Sequence, residues 1–314
     1  MTDYGATQTD ELLENLEKRI NEEYKRAYRD VRDKADNYFA QFAKKDKQKQ
    51  ADVLSGKITK EEYRDWRKKQ MLAGKRWTDL RDQLAQDLTH ANQIAAGLVR
   101  GELTEAFAIN ANFASYMIED GMQVNYGFTL YSRESVANLL MNDPDLIPWM
   151  PDVDVAADLR WNRQMITSHI TQGILQGESA ANLSKRLLKT VNNNEVAAVR
   201  TARTAVTSAQ NAGRQMVYER AKSKGIKLQK EWMATLDMRT RHFHGKADGQ
   251  KKDPEEPFVV GGEKMMYPGD PSAPGYLIYN CRCTTVAALP EEITKGTEPR
   301  KTYDEWKKEK DGAR

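Results

Sequence analysis

The amino-acid sequence predicts an α+β protein, with mostly helical N-terminal and middle regions and a small β-containing, Gly/Pro-rich C-terminal module. Three observations lead to this fold class. Apolar residues recur every three or four positions over the first half of the chain, as they do on one face of a helix. Small residues and helix-capping signals mark a second helical block. From residue 226 onward, the pattern changes to alternation and to clusters of Gly and Pro.

The first helical region is predicted from Asp10 to Phe42, where apolar residues at steps of three or four are separated by charges of both signs. One long amphipathic helix, or two closely spaced ones, produces this pattern, and its apolar face contacts either a partner chain or its own domain. The segment KKDKQKQADVLSGK breaks the pattern. Thr59 and Glu62 then predict a capping box that starts a new helix, and the helical pattern continues past Phe107.

A domain boundary is predicted near residue 150, because Pro144, Pro148 and Pro151 interrupt this part of the chain. Residues 1–150 then form a helical N-terminal region, and residues 151–225 form a second helical block. In that block Gly177 is expected to end one helix and Ser179 to cap the next. An alanine-rich helix follows and is expected to end at residue 225.

The module predicted for residues 226–290 begins with a strand, since Ile226, Leu228 and Lys230 alternate with Lys227 and Gln229. Short strands and turns follow, in segments such as VVGGEKMMYPGDPSAPG. A module with so few apolar residues needs an additional stabilising element. Residues 291–314 are expected to form a C-terminal tail or short helix.

Composition limits the function classes. The chain has 314 residues and a net charge of only +3, from 49 basic and 46 acidic side chains, so net charge alone does not predict nucleic-acid binding. No apolar stretch approaches the roughly 20 residues that span a bilayer, and no secretory signal precedes the first helix, so we expect no membrane contact. Two cysteines without such a signal indicate a reducing compartment, where paired cysteines bind metal or stay free.

Both cysteines, Cys281 and Cys283, lie in the segment YNCRCT. A disulfide between residues i and i+2 would be strained. Two interpretations remain for the pair at this stage. The cysteines are either small apolar residues on the buried face of a strand, or two thiolates directed at one metal ion.

Upstream, His242 and His244 repeat the same i, i+2 spacing. If each pair lies on a strand, two neighbouring strands would present a four-ligand N2S2 set that suits tetrahedral zinc. Asp237 or Asp270 could supply an oxygen ligand in place of one histidine. The other interpretation makes these histidines ordinary surface or hydrogen-bonded residues, Asp237 part of an ion-paired turn with its neighbouring arginines, and Asp270 a turn cap.

Four motifs in order then identify a family: ARTAVTSAQNAGR, EWMATLDMRTRHFHGKADGQ, YPGDP and NCRCT. Together they closely resemble the Mu F-like minor head proteins of tailed phages, also called head morphogenesis proteins. The resemblance covers roughly residues 158–289, and the region before about residue 151 carries little of it. The positions that match the family pattern are Trp232, Asp237, Thr240, Arg241, His244, Asp248, Gly249, Asp270, Asn280, Cys281, Arg282 and Cys283.

The resemblance implies a non-enzymatic structural component of the virion, recruited near the portal vertex during procapsid assembly and linked to head morphogenesis and to genome packaging or ejection. The implied partners are the phage portal protein, the scaffold or major capsid protein, and phage DNA. The implied location is the head interior or portal vertex, after assembly in the host cytoplasm.

The family pattern also ranks the metal ligands, because His244 is the motif histidine and His242 falls at a variable position. His244, Cys281 and Cys283 become the expected zinc ligands, with Asp237 or His242 competing for the fourth place. The alternative function is a zinc-dependent hydrolase or nuclease that uses this His/Cys/Asp cluster. A toxin-system or secreted effector domain is a further alternative, and the lack of room for a toxin domain after Leu289 argues against it.

Overall fold

The computed structural model describes residues 3–72, 74–290 and 301–312. Helices dominate the N-terminal and middle regions, and short antiparallel strands occur only after residue 228 among these residues, which confirms the predicted fold class. The long helices, in chain order, are α1 (Tyr4–Leu54), α2 (Lys60–Leu72), α3 (Lys75–Met122), α4 (Arg133–Asn142), α5 (Val155–Leu175) and α6 (Ala180–Ser223).

Helix α1 is longer than its apolar pattern predicts. The lysine-rich run that was expected to break it, residues 44–50, is helical. The reason is a tertiary contact: Asp46 is buried in this run, where it accepts a hydrogen bond of 2.7 Å from the Tyr63 hydroxyl and lies 3.4 Å from the Arg67 guanidinium. The chain turns only after Leu54, and the predicted capping box between Thr59 and Glu62 then starts α2.

The predicted caps around residue 177 are confirmed. Gly177 has a φ of +71° after α5, and the Ser179 hydroxyl accepts a hydrogen bond of 3.3 Å from the Asn182 N–H at the start of α6. The two helices expected between residues 180 and 225 are instead one helix of 44 residues. It ends just before Gly225, as predicted.

Residues 226–288 form the predicted small module. Strand β1 (Gln229–Met233) lies between β2 (Lys251–Lys252) and β5 (Thr284–Ala288), antiparallel to both, and β3 (Phe258–Val260) pairs with β4 (Glu263–Met265). Two short helices complete the module, α7 (His242–Ala247) and α8 (Gly275–Ile278). Its core contains the residues Trp232, Ala234, Ala247, Phe258, Val260, Met265, Ala273, Leu277, Ile278, Cys281 and Cys283.

The predicted C-terminal tail, residues 291–314, lies partly outside the described residues. Within it, helix α9 (Tyr303–Gly312) begins with a Thr302–Glu305 capping box. Tyr303 and Trp306 of this helix are buried with Phe113 and Tyr116 of α3. The Trp306 indole N–H donates a hydrogen bond of 2.7 Å to the Glu119 carboxylate.

The described chain forms two compact units. Unit 1 comprises Met1–Glu17, Leu98–Pro151 and Arg200–Arg314, and unit 2 comprises Lys18–Gly97 and Asp152–Val199. The predicted division at residue 150 stays a prediction. No helix of the described residues is both long and apolar enough to cross a membrane.

Candidate metal centre

The candidate centre starts from strand β1. Its side chains alternate as the sequence predicts, so that Lys230 and Trp232 are buried while Gln229 and Met233 are more exposed. The Trp232 ring packs edge-to-face against the ring of His244, with 5.6 Å between centroids. It packs in the same way against Phe258, at 5.4 Å. The strand therefore supplies an aromatic wall that fixes the orientation of the imidazole.

His244 lies on the short helix α7, and this corrects the expectation that both histidines lie on a strand. Residues i and i+2 point to different sides of a helix, whereas on a strand they share a face. His244 is therefore buried at 2% exposure, and His242 is exposed to solvent. The four-ligand set of two strands is not formed.

The two cysteines lie in the connection between α8 and β5, not within a strand. Helix α6 holds this connection through hydrogen bonds to its backbone. The Thr207 hydroxyl donates to the Cys281 carbonyl at 2.8 Å, and the Asn211 amide donates to the Cys283 carbonyl at 3.2 Å. Both bonds are buried, so the cysteines have a fixed position relative to α6.

One imidazole nitrogen faces both sulfur atoms. His244 Nδ1 lies 3.3 Å from Cys283 Sγ and 3.6 Å from Cys281 Sγ, and the three ligand atoms all lie within 4.8 Å of one another. All three residues are buried, and the cysteines are free thiols. A tetrahedral zinc ion, with bonds of about 2.3 Å to sulfur and about 2.0 Å to nitrogen, places such neighbours roughly 3.5–3.8 Å apart. The spacing thus fits a metal ion between His244, Cys281 and Cys283.

The thiols differ in their electrostatics. The pKa of the Cys283 thiol is lowered, first because the Cys281 thiol donates a hydrogen bond to its sulfur and also because His244 lies beside it. The pKa of Cys281 is raised by the same interaction and by burial. One thiolate therefore already suits the site, and a cation would favour ionisation of the second.

Asp237, a candidate fourth ligand, has other partners. Arg282 donates two hydrogen bonds to its carboxylate, at 2.6 and 2.8 Å, and the Arg239 N–H donates a third at 2.9 Å. These bonds, the Arg282 pair foremost, lower the pKa of Asp237. Asp237 therefore closes an ion-paired turn. Within the described residues, the group that could hold a metal ion contains neither Asp237 nor His242.

Other motif residues also hold turns. Asp248 accepts a hydrogen bond of 2.8 Å from the Ala234 N–H, and Gly249 donates its N–H to the Trp232 carbonyl at 2.9 Å. Asp270 accepts from the N–H groups of Met266 and Ser272, at 2.7 and 2.9 Å, so it caps its turn as predicted. The Thr240 hydroxyl donates to the Thr235 carbonyl, and the Arg241 guanidinium donates to the Tyr279 carbonyl. The backbone N–H of Asn280, at a φ of +54°, donates to the Thr204 hydroxyl.

Sequence reasoning missed the anchors of the cysteine segment. Thr207 and Asn211 lie in the motif ARTAVTSAQNAGR, which helped to identify the family but received no role in the site. Their signal is the i, i+4 spacing, which places both side chains on one face of the helix. Residues 200–223 of helix α6 and the cysteine segment are therefore one structural assembly within unit 1.

A match to a known protein family covers both helix α6 and the cysteine segment. Residues 164–286 match the sequence model of the family described as Phage Mu protein F like protein. That range contains the end of α5, all of α6, the aromatic wall and the three metal-ligand candidates. Residues 164–286 therefore form a Mu F-like region of this chain.

Two relatives of the Mu F-like chain differ in how much they share with it. It is 25% identical to the minor head protein GP7 of Bacillus phage SPP1 over 317 aligned positions, which cover 96% of this chain and 94% of GP7. It is 32% identical over 151 residues to an NAD(+)–arginine ADP-ribosyltransferase EFV of Enterococcus faecalis. That match covers 46% of this chain and only 31% of the enzyme, so the chain spans about a third of that relative. No solved structure matches the Mu F-like chain.

Proposed function

We propose that this chain is a minor head protein of a tailed phage, recruited beside the portal during procapsid assembly, with a role in genome packaging or ejection. The observation that carries the proposal is the similarity to a minor head protein along nearly the whole of both chains. A match that includes α1–α3 as well as the Mu F-like region supports a shared role of the whole protein. The proposed location is the virion, in the head interior or at the portal vertex.

A non-enzymatic role agrees with these relatives. The ADP-ribosyltransferase shares only a fraction of its length with this chain, and its activity is a property of that whole protein. The two carboxylates considered as ligands are engaged, Asp237 by Arg282 and Asp270 by its own turn. A hydrolase would need a free general base within reach of its reacting water. The zinc hydrolase or nuclease alternative is therefore not favoured.

The metal centre is proposed as a structural zinc site in this role. The three donors come from α7 and from the segment before β5, which are separated by more than thirty residues of sequence. A metal ion between them would join the beginning of the Gly/Pro-rich module to its end. Two thiolates and one imidazole form a donor set that zinc prefers.

The portal proposal is tested by co-expression with the portal protein of the same phage. We expect a complex of defined mass after size-exclusion chromatography with light scattering, and its mass gives the number of copies per portal. The control is the major capsid protein, co-expressed in the same way. If the two folded proteins elute separately at all concentrations, recruitment by the portal is wrong.

The zinc proposal predicts that Cys281→Ser and Cys283→Ser lose bound metal. We expect about one zinc per wild-type chain by elemental analysis, and a fall of several degrees in the melting temperature of either variant, because the module loses its cross-link. His242→Ala is the matched control, since this histidine is exposed and outside the ligand group. If wild type is purified without zinc, does not take up added zinc, and melts at the same temperature as the cysteine variants, the proposal is wrong.

A further inference from the structure

The second feature of functional interest lies in unit 2, far along the sequence from the cysteines. The end of α1, one face of α2 and the end of α5 enclose a groove of about 840 Å³. Its lining residues are Gln50, Val53, Leu54, Lys60, Tyr63, Arg64, Arg67, Lys68, Ile174, Leu175, Gln176 and Gly177. We name it the α2 groove. It contains four cations and no carboxylate.

The cations of the α2 groove follow the helical repeat. Lys60, Arg64 and Lys68 are spaced four residues apart, so they form one stripe along α2. All three are exposed, and no ion pair joins any of them to a carboxylate of the described chain. Arg67 differs because it is buried, 3.4 Å from Asp46, and donates a hydrogen bond of 2.7 Å to the Glu178 carbonyl.

Two carboxylates near the α2 groove, Asp52 and Glu178, are engaged elsewhere. Asp52 lies within 4.0 Å of Lys49 and Lys57. Glu178 accepts two hydrogen bonds of 2.6 Å from Arg186. The remaining carboxylates of α2, Glu61, Glu62 and Asp65, do not line the groove, so the groove itself presents cations without a carboxylate. The surrounding segment strengthens this field, because residues 44–76 hold 12 basic and 5 acidic side chains in a chain whose net charge is +3.

The groove also has exposed apolar side chains. Leu54 is 90% exposed at the end of α1, and Leu175 is 69% exposed at the end of α5. Exposed leucines beside a cationic stripe are typical of a surface that receives an amphipathic helix, whose apolar residues enter the groove while acidic residues face the cations. Nucleic acid is bound mainly through its phosphates, which would not contact the two leucines favourably.

We propose that the α2 groove binds an acidic amphipathic helix of a partner protein. The leucines receive the apolar face of that helix, and the stripe of Lys60, Arg64 and Lys68 pairs with its carboxylates. This inference is independent of recruitment by the portal. It assigns an interaction surface to α1 and α2, which precede the Mu F-like match, and to the end of α5, which lies within it.

The test uses a labelled helical peptide of about 20 residues, with leucines on one face and glutamates on the other, titrated with the full chain by fluorescence anisotropy. We expect saturable binding, and binding weaker by about tenfold for the same peptide with glutamine in place of glutamate. Arg64→Glu with Lys68→Glu should also weaken binding by about tenfold or more, and Leu175→Ser should weaken it without any change of charge.

The matched control is Lys44→Glu with Lys45→Glu, which makes the same change of charge at exposed positions of α1 outside the groove. Binding that stays within about twofold in this control supports the α2 groove. Equal loss of peptide binding in both double variants would show a general polyanion surface and overturn the proposal. A DNA duplex that competes with the peptide for wild type, and that neither double variant binds, would do the same. Absence of saturable binding, or a dimer that only Arg64→Glu with Lys68→Glu dissolves, would overturn it too.

Discussion

At the scale of single residues, Lys230 shows how an ordinary surface residue becomes part of a core. It is fully buried in β1, where its ammonium group donates hydrogen bonds to Gln215 Oε1 at 3.0 Å and to the Met266 carbonyl at 2.8 Å. Burial lowers its pKa to about 8, although the carboxylates of Glu219, Asp253, Asp270 and Glu256 act in the opposite direction. Lys230 thus joins α6, β1 and the turn after β4 at a cost in desolvation.

This shift predicts a pH dependence of stability. Below pH 8 the lysine is protonated in both the folded and unfolded states, and the cost of burying the charge is fully present. Between pH 8 and about 10.5 only the unfolded state keeps the proton, so this contribution to the free energy of unfolding rises with pH, by at most about 3 kcal/mol.

Denaturation by urea between pH 7 and pH 10 measures this contribution, as the difference between wild type and Lys230→Met. We expect wild type to gain stability relative to Lys230→Met as the pH rises. Lys227→Met is the control, because Lys227 is an exposed lysine three residues before Lys230, and its difference from wild type should stay flat. A flat difference for Lys230→Met as well would contradict the lowered pKa.

At the scale of elements, α3 and α6 approach each other closely at Gly213. A Cβ atom built there would lie 2.5 Å from the Phe107 carbonyl oxygen of α3, which is backbone and cannot rotate away. A small residue on α6 therefore allows a close approach between elements. The turn at Gly269 also approaches α6 closely, since a Cβ there would lie 3.1 Å from the Ser208 nitrogen.

Gly213→Ala should therefore destabilise the protein by about 1–3 kcal/mol, although alanine favours helices. Gly101→Ala is the matched substitution in α3, where a Cβ would meet no atom within 4 Å. It should be neutral or stabilising by up to about 1 kcal/mol. Chemical denaturation of both variants measures the contrast. If both substitutions stabilise, the helices are not in the contact described at Gly213.

At the scale of the whole molecule, the sequence predicts what local chemistry decides. The helix signals at Thr59, Gly177 and Ser179, and the alternation that includes Lys230, depend on neighbours in the chain, and the structure confirms them. The helical state of residues 44–50 depends on Asp46 contacting α2, which no local pattern shows.

The same distinction applies to the metal centre. Scarcity of Cys and the family pattern brought His244, Cys281 and Cys283 together in prediction, and the structure places them together. The sequence did not reveal that a single helical turn at residues 242–247 would separate His242 from His244. Nor did it reveal that the Arg282 guanidinium would form an ion pair with the Asp237 carboxylate. Whether residues 242–247 form a strand or a helix is decided by the packing of His244 against Trp232, which no local sequence pattern shows.

The two units predict a local effect of metal removal. The proposed zinc ligands all lie in unit 1, in the module held by Thr207 and Asn211. Unit 2 is held by contacts of its own, among them a buried cluster in which Asn92 and Asn162 donate to the Asp158 carboxylate at 2.9 Å. Loss of the metal therefore removes a cross-link from unit 1 and none from unit 2.

Hydrogen exchange after treatment with a chelator should therefore rise in peptides that cover β1, β5 and residues 275–283, because these amides close the ends of the module. Peptides from α2 and from α5 should exchange as before. Cys281→Ser should show the same pattern without chelator and should not respond to it, which separates metal loss from other effects of the reagent. A uniform rise along the chain would mean that metal stabilises both units as one cooperative structure, and no rise at all would remove zinc from the stability of this protein.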